Sequence, residues 1–167
     1  MKKFLAYFVI VVMMTVMLSS NLLHAQAASL NEFNAANVVS QTVEYFEDGS
    51  HATITVTEDD SAMTRATTYT KTGSKHYVMQ NKDGDELWRF TINGTFSVNS
   101  GVSATCTKST YSIKITEDAW QNDSASASKS GNQATGTATF IKKLLFITTD
   151  TRECSVVLSC DKNGNLS

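Results

Sequence analysis

The sequence predicts an all-β fold, an antiparallel β-sandwich, on three observations. The first is a strict period of two between Trp88 and Val98: Trp88, Phe90, Ile92, Phe96 and Val98 take even positions, while Arg89, Thr91, Asn93, Thr95 and Ser97 take odd ones. Side chains alternate across a strand, so this pattern places every large apolar group on one face. The second is the punctuation of similar runs by Asp-Gly, Gly-Ser, Ser-Gly and Asn-Gly pairs, which divides the chain into roughly eight to ten short strands. The third is composition: the chain has no proline, is rich in Ser and Thr, and shows no amphipathic helical stretch beyond its first residues. Gly94 interrupts the apolar face of the central strand and predicts a bulge or a close approach.

The chain has 167 residues. Residues 1–27 read as an export signal: Lys2 and Lys3 open it, Phe4 to Leu18 is apolar, and Ala25-Gln26-Ala27 is a small-x-small cleavage pattern. The apolar run is short of the roughly 20 residues that span a bilayer, so no stable anchor is expected after cleavage. Residues 28–40 form a loose leader, and residues 41–167 a single domain. The whole chain carries 14 basic and 16 acidic residues. A weakly acidic domain without a basic cluster is a poor candidate for nucleic acid.

Thr42 to Phe46 and His51 to Thr57 flank Asp48-Gly49, a hairpin signal, with Ala52, Ile54 and Val56 on one face of the second arm. Glu58-Asp59-Asp60 closes it with an acidic loop. Thr64 to Thr72 and Lys75 to Gln80 bracket Gly73-Ser74, which reads as a second hairpin. Asn81 to Asp85 turns into the Trp88 strand, and Asn99-Ser100-Gly101 ends it. Val102, Ala104 and Cys106 then share a face. Tyr111, Ile113 and Ile115 alternate with polar residues in a further strand. Trp120 is expected to fold back as a core plug. Residues 122–129 are Ser-rich, and Ser130-Gly131-Asn132 is a turn. Ala134, Gly136, Ala138 and Phe140 share a face whose small residues imply close approach by another element. Leu144 to Ile147 is a short apolar run, and Cys154, Val156, Leu158 and Cys160 line the last strand.

Chemistry is sparse. Cys106 and Cys160 lie on apolar faces of separate strands, which suits a disulfide between two layers, with three free thiols as the alternative. Cys106, Trp120 and Cys160 follow the Cys…Trp…Cys order of immunoglobulin domains. Leu158 stands where the tyrosine-corner residue would be, and few residues follow Cys160, so the architecture is immunoglobulin-like only in general. Cys154 lacks a nearby base in sequence, and no Gly-x-Ser-x-Gly elbow occurs. Gly84 at the sixth position of a calcium loop would put Met79 and Phe90 where carboxylates are needed. Two histidines and three cysteines beyond residue 27 show no zinc spacing. No catalytic residue, metal or cofactor is therefore expected. Tyr69 and Tyr77, read as opposite arms of one hairpin, are the candidate platform for a sugar or peptide. Asn93-Gly94-Thr95 and Asn122-Asp123-Ser124 fit the N-glycosylation pattern.

Several short motifs carry a resemblance: Thr72-Gly73-Ser74-Lys75, Leu87-Trp88, Gly94-Thr95-Phe96, Ser103-Ala104-Thr105-Cys106, Trp120, Lys129-Ser130-Gly131-Asn132, and the C-terminal Cys160-x-x-Asn163-Gly164-x-Leu166-Ser167. Over residues 64–167 the chain resembles small, uncharacterised, secreted β-rich proteins of Gram-positive bacteria, of the Firmicutes and Clostridia type. In that pattern the recurring cysteines resemble Cys106 and Cys160. The resemblance implies export and a β fold and carries no activity. The expected function is a secreted, non-catalytic module binding a cell-wall glycan, host glycan or extracellular protein. The alternative is an antimicrobial or toxin-like protein acting on competing cells.

Overall fold

Among the described residues eight antiparallel strands form two sheets, and every strand pairs only with its neighbours in sequence. The computed structural model describes residues 37–59 and 67–167. The expectations for the export signal at residues 1–27, for Ala25 and Ala27, and for most of the leader lie outside the described residues. The strands are β1 (Val38–Tyr45), β2 (His51–Glu58), β3 (Thr68–Gln80), β4 (Glu86–Asn99), β5 (Ser103–Ile115), β6 (Trp120–Ser130), β7 (Gln133–Leu144) and β8 (Ile147–Ser159). One sheet runs β1-β2-β3-β4-β5, the other β6-β7-β8. The two face each other as an all-β sandwich. Immunoglobulin domains reach their sandwich through Greek-key crossings, whereas here each sheet is a meander and the β5–β6 link passes from one to the other.

The core lies where the period of two places it. Trp88, Phe90, Ile92, Phe96 and Val98 are fully buried, and across from them Ala134, Ala138, Phe140, Val156 and Leu158 fill the inner face of the second sheet. Burying each of the larger side chains contributes about 1.5–3 kcal/mol. Trp88 stacks on Phe140 with ring centroids 3.8 Å apart and an interplanar angle of 11°, and meets Trp120 edge-on at 6.2 Å. Trp120 is buried at the start of β6, as a plug of that core should be.

The three glycines within strands, Gly73, Gly94 and Gly136, mark close approach. At Gly94 a Cβ would stand 2.7 Å from the Phe96 ring and 3.0 Å from Leu158 Cδ2. No bulge occurs at Gly94 itself, which pairs in register with Gly73 and Ser109. The irregularity falls one step later: Thr95 pairs with Lys108 and Phe96 with Cys106, leaving Thr107 as an extra residue in β5. An extra residue reverses the parity of a strand. Hence Ala104 and Cys106, at even positions, share the inner face with Tyr111, Ile113 and Ile115, at odd ones. What read as two strands is one, and Val102 sits in the preceding turn, exposed, rather than on that face.

Gly73-Ser74 is not a turn. β3 runs straight through it, with Gly73 paired to Glu58 on one side and Gly94 on the other. The reason for the glycine is packing: Leu166 and the Thr57 carbonyl occupy the space a Cβ would need, the carbonyl at 2.6 Å. Leu166 arrives there because the chain folds back after β8. Asp161 Oδ1 accepts the amides of Asn163 and Asn165 at 2.8 Å, Cys160 bridges to Leu166, and Ser167 exchanges backbone hydrogen bonds with Ser159. The terminal motif is thus a plug for the sandwich's end.

Candidate functional site

In a meander, successive links fall at alternate ends. The β1–β2, β3–β4, β5–β6 and β7–β8 links therefore share one end, and a cleft of about 400 Å3 opens between them. Asp48 and Ser50 come from the first link; Asn81 and Lys82 come from the second, with Met79 and Leu87 on the strands beside it. Glu117 belongs to the third link, which leads into Trp120. Lys142, Asp150 and Arg152 come from the last hairpin. Met79, Leu87 and Trp120 make an apolar floor beneath a charged rim.

The rim is internally organised. Arg152 bridges two carboxylates, with its Nη2 2.5 Å from Asp48 Oδ2 and its Nε 3.1 Å from Asp150 Oδ2. Its guanidinium lies 5.3 Å from the centre of the Phe46 ring. Hydrogen bonds from the Ser50 hydroxyl and amide, followed by the Arg152 charge, hold the Asp48 carboxyl below its ordinary value, so it is an anion at neutral pH. Lys142 reaches Glu117 at 3.2 Å and lies over the Trp120 ring, 5.9 Å from its centre. Asn81 fixes its own turn: its Oδ1 accepts the amides of Asp83 and Asp85 at 2.9 Å. The Trp120 Nε1–H is buried without an acceptor among the described residues. A buried unsatisfied donor of this kind costs about 1–3 kcal/mol.

The tyrosine platform expected from sequence is not formed. Because β3 is continuous, Tyr69 and Tyr77 sit on one strand, eight positions apart, rather than on facing arms. Tyr77 is only 8% exposed, stacks on Trp88 at 5.7 Å, and its phenol is pushed up to about 12 by burial. Tyr69 is half-buried and donates its hydroxyl to the Asn163 carbonyl at 3.0 Å, serving the C-terminal plug.

Cys106 and Cys160 are present as buried thiols, not as the expected disulfide, and Cys154 is a third. The structure does bring the first two to one place: the Cys106 amide donates to Gly131 O and the Cys160 amide to Asn132 O, adjacent carbonyls of the β6–β7 turn. Their thiols point hydrogen to the Lys108 and Asp161 carbonyls at 3.3 and 3.6 Å. Burial pushes Cys154 up to about 12, so at neutral pH it is a thiol rather than a nucleophilic thiolate. His76 lies between Thr57 and Thr91, 3.1 and 3.0 Å from their hydroxyls, in a polar ladder on the sheet's other face. Asn93 and Asn122, in the two glycosylation patterns, both lie within strands. Asn93 accepts from Ser74, and Asn122 donates to Thr139 O. Among the described residues no group of three or more His, Cys, Asp or Glu is placed to hold a metal ion.

Sequence reasoning missed the cleft because its acidic turns read as solvated hairpin ends. The usable signal was topological: with each strand reversing the one before it, alternate links fall at the same end. Compared with family models, curated proteins and solved structures, the chain matches none.

Proposed function

We propose that this protein is an exported, non-catalytic binding module that takes a hydroxyl-rich ligand, a glycan, in the cleft between its four same-end links. One observation carries the reading: Asp48, Glu117 and Asp150 stand as acceptors, and Asn81, Lys82, Lys142 and Arg152 as donors, around an apolar floor that includes Trp120. A sugar ring presents the matching surface, hydroxyls at its edge and C–H groups on its face. Ligand sites of this size combine an apolar lining with a few placed polar groups. The buried thiols and the threonine-clamped His76 favour binding over catalysis, since neither offers an activated nucleophile beside a base. The export signal read in residues 1–27 and the resemblance to secreted proteins support an extracellular place of action.

The test is retention of the protein on isolated cell walls and insoluble polysaccharides, with release by a soluble sugar. Asp150→Asn together with Lys82→Ala, the latter at an exposed side chain of the rim, should abolish retention while leaving the circular dichroism spectrum unchanged. Retention unaffected by both substitutions, or no retention on any glycan surface, would overturn the reading.

A second reading, a protein acting on competing cells, is favoured by one feature. The β7–β8 hairpin ends in exposed apolar residues.

A further inference from the structure

That hairpin end is built against the ordinary rules of turns. Leu144, Leu145, Phe146 and Ile147 are 68, 86, 98 and 71% exposed. Leu144 pairs with Ile147, so Leu145 and Phe146 alone form the two-residue reversal. Such reversals favour Asn or Gly because they require positive φ. Five glycines take positive φ among the described residues, and Leu145 at φ 57° is the one side-chain-bearing residue that does so. A strained conformation kept with a large apolar side chain points to a use for that side chain.

The segment is a finger. β6 begins at Trp120, paired with Lys142, and the Ala119 carbonyl accepts the Lys143 amide at 2.8 Å. Beyond that level, among the described residues, β7 and β8 have no third strand beside them in their sheet. The finger projects about 7 Å at the rise of a strand. That matches the depth of roughly 5–10 Å at which interfacial elements bury in a bilayer. Behind the apolar tip come Lys143 on β7 and Thr148 and Thr149 on β8, while Lys142 turns to Glu117 in the cleft, and no carboxylate occurs from Lys143 to Thr149. This is the order of an interfacial anchor: apolar end, then a cation and hydroxyls at headgroup level.

We propose that the β7–β8 finger inserts into the outer boundary of a lipid bilayer, giving this protein a peripheral membrane-binding site. The proposal goes beyond the ligand-binding cleft and does not depend on it. A convex tip suits a fluid surface, whereas a protein partner would need a pre-formed apolar socket. A second copy presents at its own cleft a charged rim, which suits four apolar side chains poorly. The links at that end and the strand residues behind the finger together carry more carboxylates than cations, so a strongly anionic surface is repelled and the fitting bilayer is zwitterionic.

Two variants of the exported chain, residues 28–167, test this on phosphatidylcholine vesicles, free of the apolar run at Phe4–Leu18. The indole introduced by Phe146→Trp should become shielded from acrylamide and quenched by bromine-labelled acyl chains when vesicles are added. Trp88 and Trp120 are buried and serve as a constant background. Leu145→Asn combined with Phe146→Gly, a favoured turn sequence, should lower vesicle partitioning by at least about ten-fold, given the apolar area removed. Position 146 staying accessible to acrylamide while the chain sediments with vesicles would show attachment by another segment and overturn the proposal. So would unchanged partitioning of the double variant, partitioning confined to vesicles with phosphatidylserine, or a dimer that the double variant dissolves. Retention on glycan surfaces should survive the double variant, so the finger and the cleft fail or stand separately.

Discussion

The ring of Phe90 on β4 lies where the Cβ of any residue other than glycine would stand at position 136 on β7. The clearance is 2.8 Å to Cε1 and Cζ, with Ile92 Cδ1 at 3.0 Å. The two sheets thus meet through a hole on one side and an aromatic ring on the other. Phe90 is fully buried and has no room to yield.

Gly136→Ala should therefore destabilise the fold by about 2 kcal/mol through overpacking, although alanine is otherwise kinder to strands than glycine. Urea denaturation gives the comparison. A midpoint equal to that of the parent chain would mean the sheets are not in this contact.

Leu145→Asn should act in the opposite direction. Asparagine tolerates the left-handed conformation that leucine resists, so the variant should gain up to about 1 kcal/mol. The thermal midpoint should rise, and a fall would show that the apolar tip supports the fold itself.

Alkali should unfold the protein early. Burial raises Cys154 from an ordinary 9.0 to about 12, Cys160 from 9.0 to about 11, and Tyr77 from 10.0 to about 12. A raised folded value means the folded chain keeps protons that the unfolded chain has released. The stabilisation is complete below the unfolded values and is lost as pH climbs toward the folded ones. Urea midpoints measured from about pH 8 to about pH 11 should fall steadily, and Cys154→Ala should make the fall shallower. A flat profile would contradict the burial of these groups.

Acid acts through other residues. Asp48, held down by Ser50 and then Arg152, and Asp161, held down by Asn165 and then Asn163, both ionise below the ordinary carboxylate value of 3.8. Depressed values give stability that is present above the ordinary range and lost as pH falls through the folded values. Asp161→Ala should loosen the C-terminal plug, measured as faster amide exchange at Leu166 and Ser167.

Thiol counting separates the two states of the cysteines. The full chain in denaturant should yield three thiols to a thiol-reactive dye, and the folded protein should react slowly at all three. A count of one in denaturant would instead reveal a bond between Cys106 and Cys160.

Much of this fold was legible because alternation is a local property. Trp88 to Val98 announced its inner face without reference to any partner, and the small residues at 134, 136 and 138 announced that another layer would come close. Three features were not legible, each for a non-local reason. Gly73 resembles a turn residue, and only the return of Leu166 shows that it makes room. The parity change between Cys106 and Tyr111 looks like two strands until Thr107 is seen as an insertion within one. The cleft residues Asp48, Glu117 and Asp150 look like solvated turn chemistry, because their convergence follows from the path of the whole chain. Tyr69 and Tyr77 were misplaced by the same Gly73 error, which turned one strand into two facing arms.

The sequential strand order also sets how the chain finds its structure. Every sheet pairing closes a short loop, and the entropic cost of loop closure grows with length. Each sheet can therefore zip from any hairpin outward, with contact order low for an all-β protein and folding correspondingly faster than in Greek-key sandwiches of the same size. The slow event left is the docking of β6-β7-β8 onto β3 and β4, where Phe90 must find Gly136. Mutations at that junction should slow folding itself, whereas changes at the hairpin tips should register mainly in the rate of unfolding.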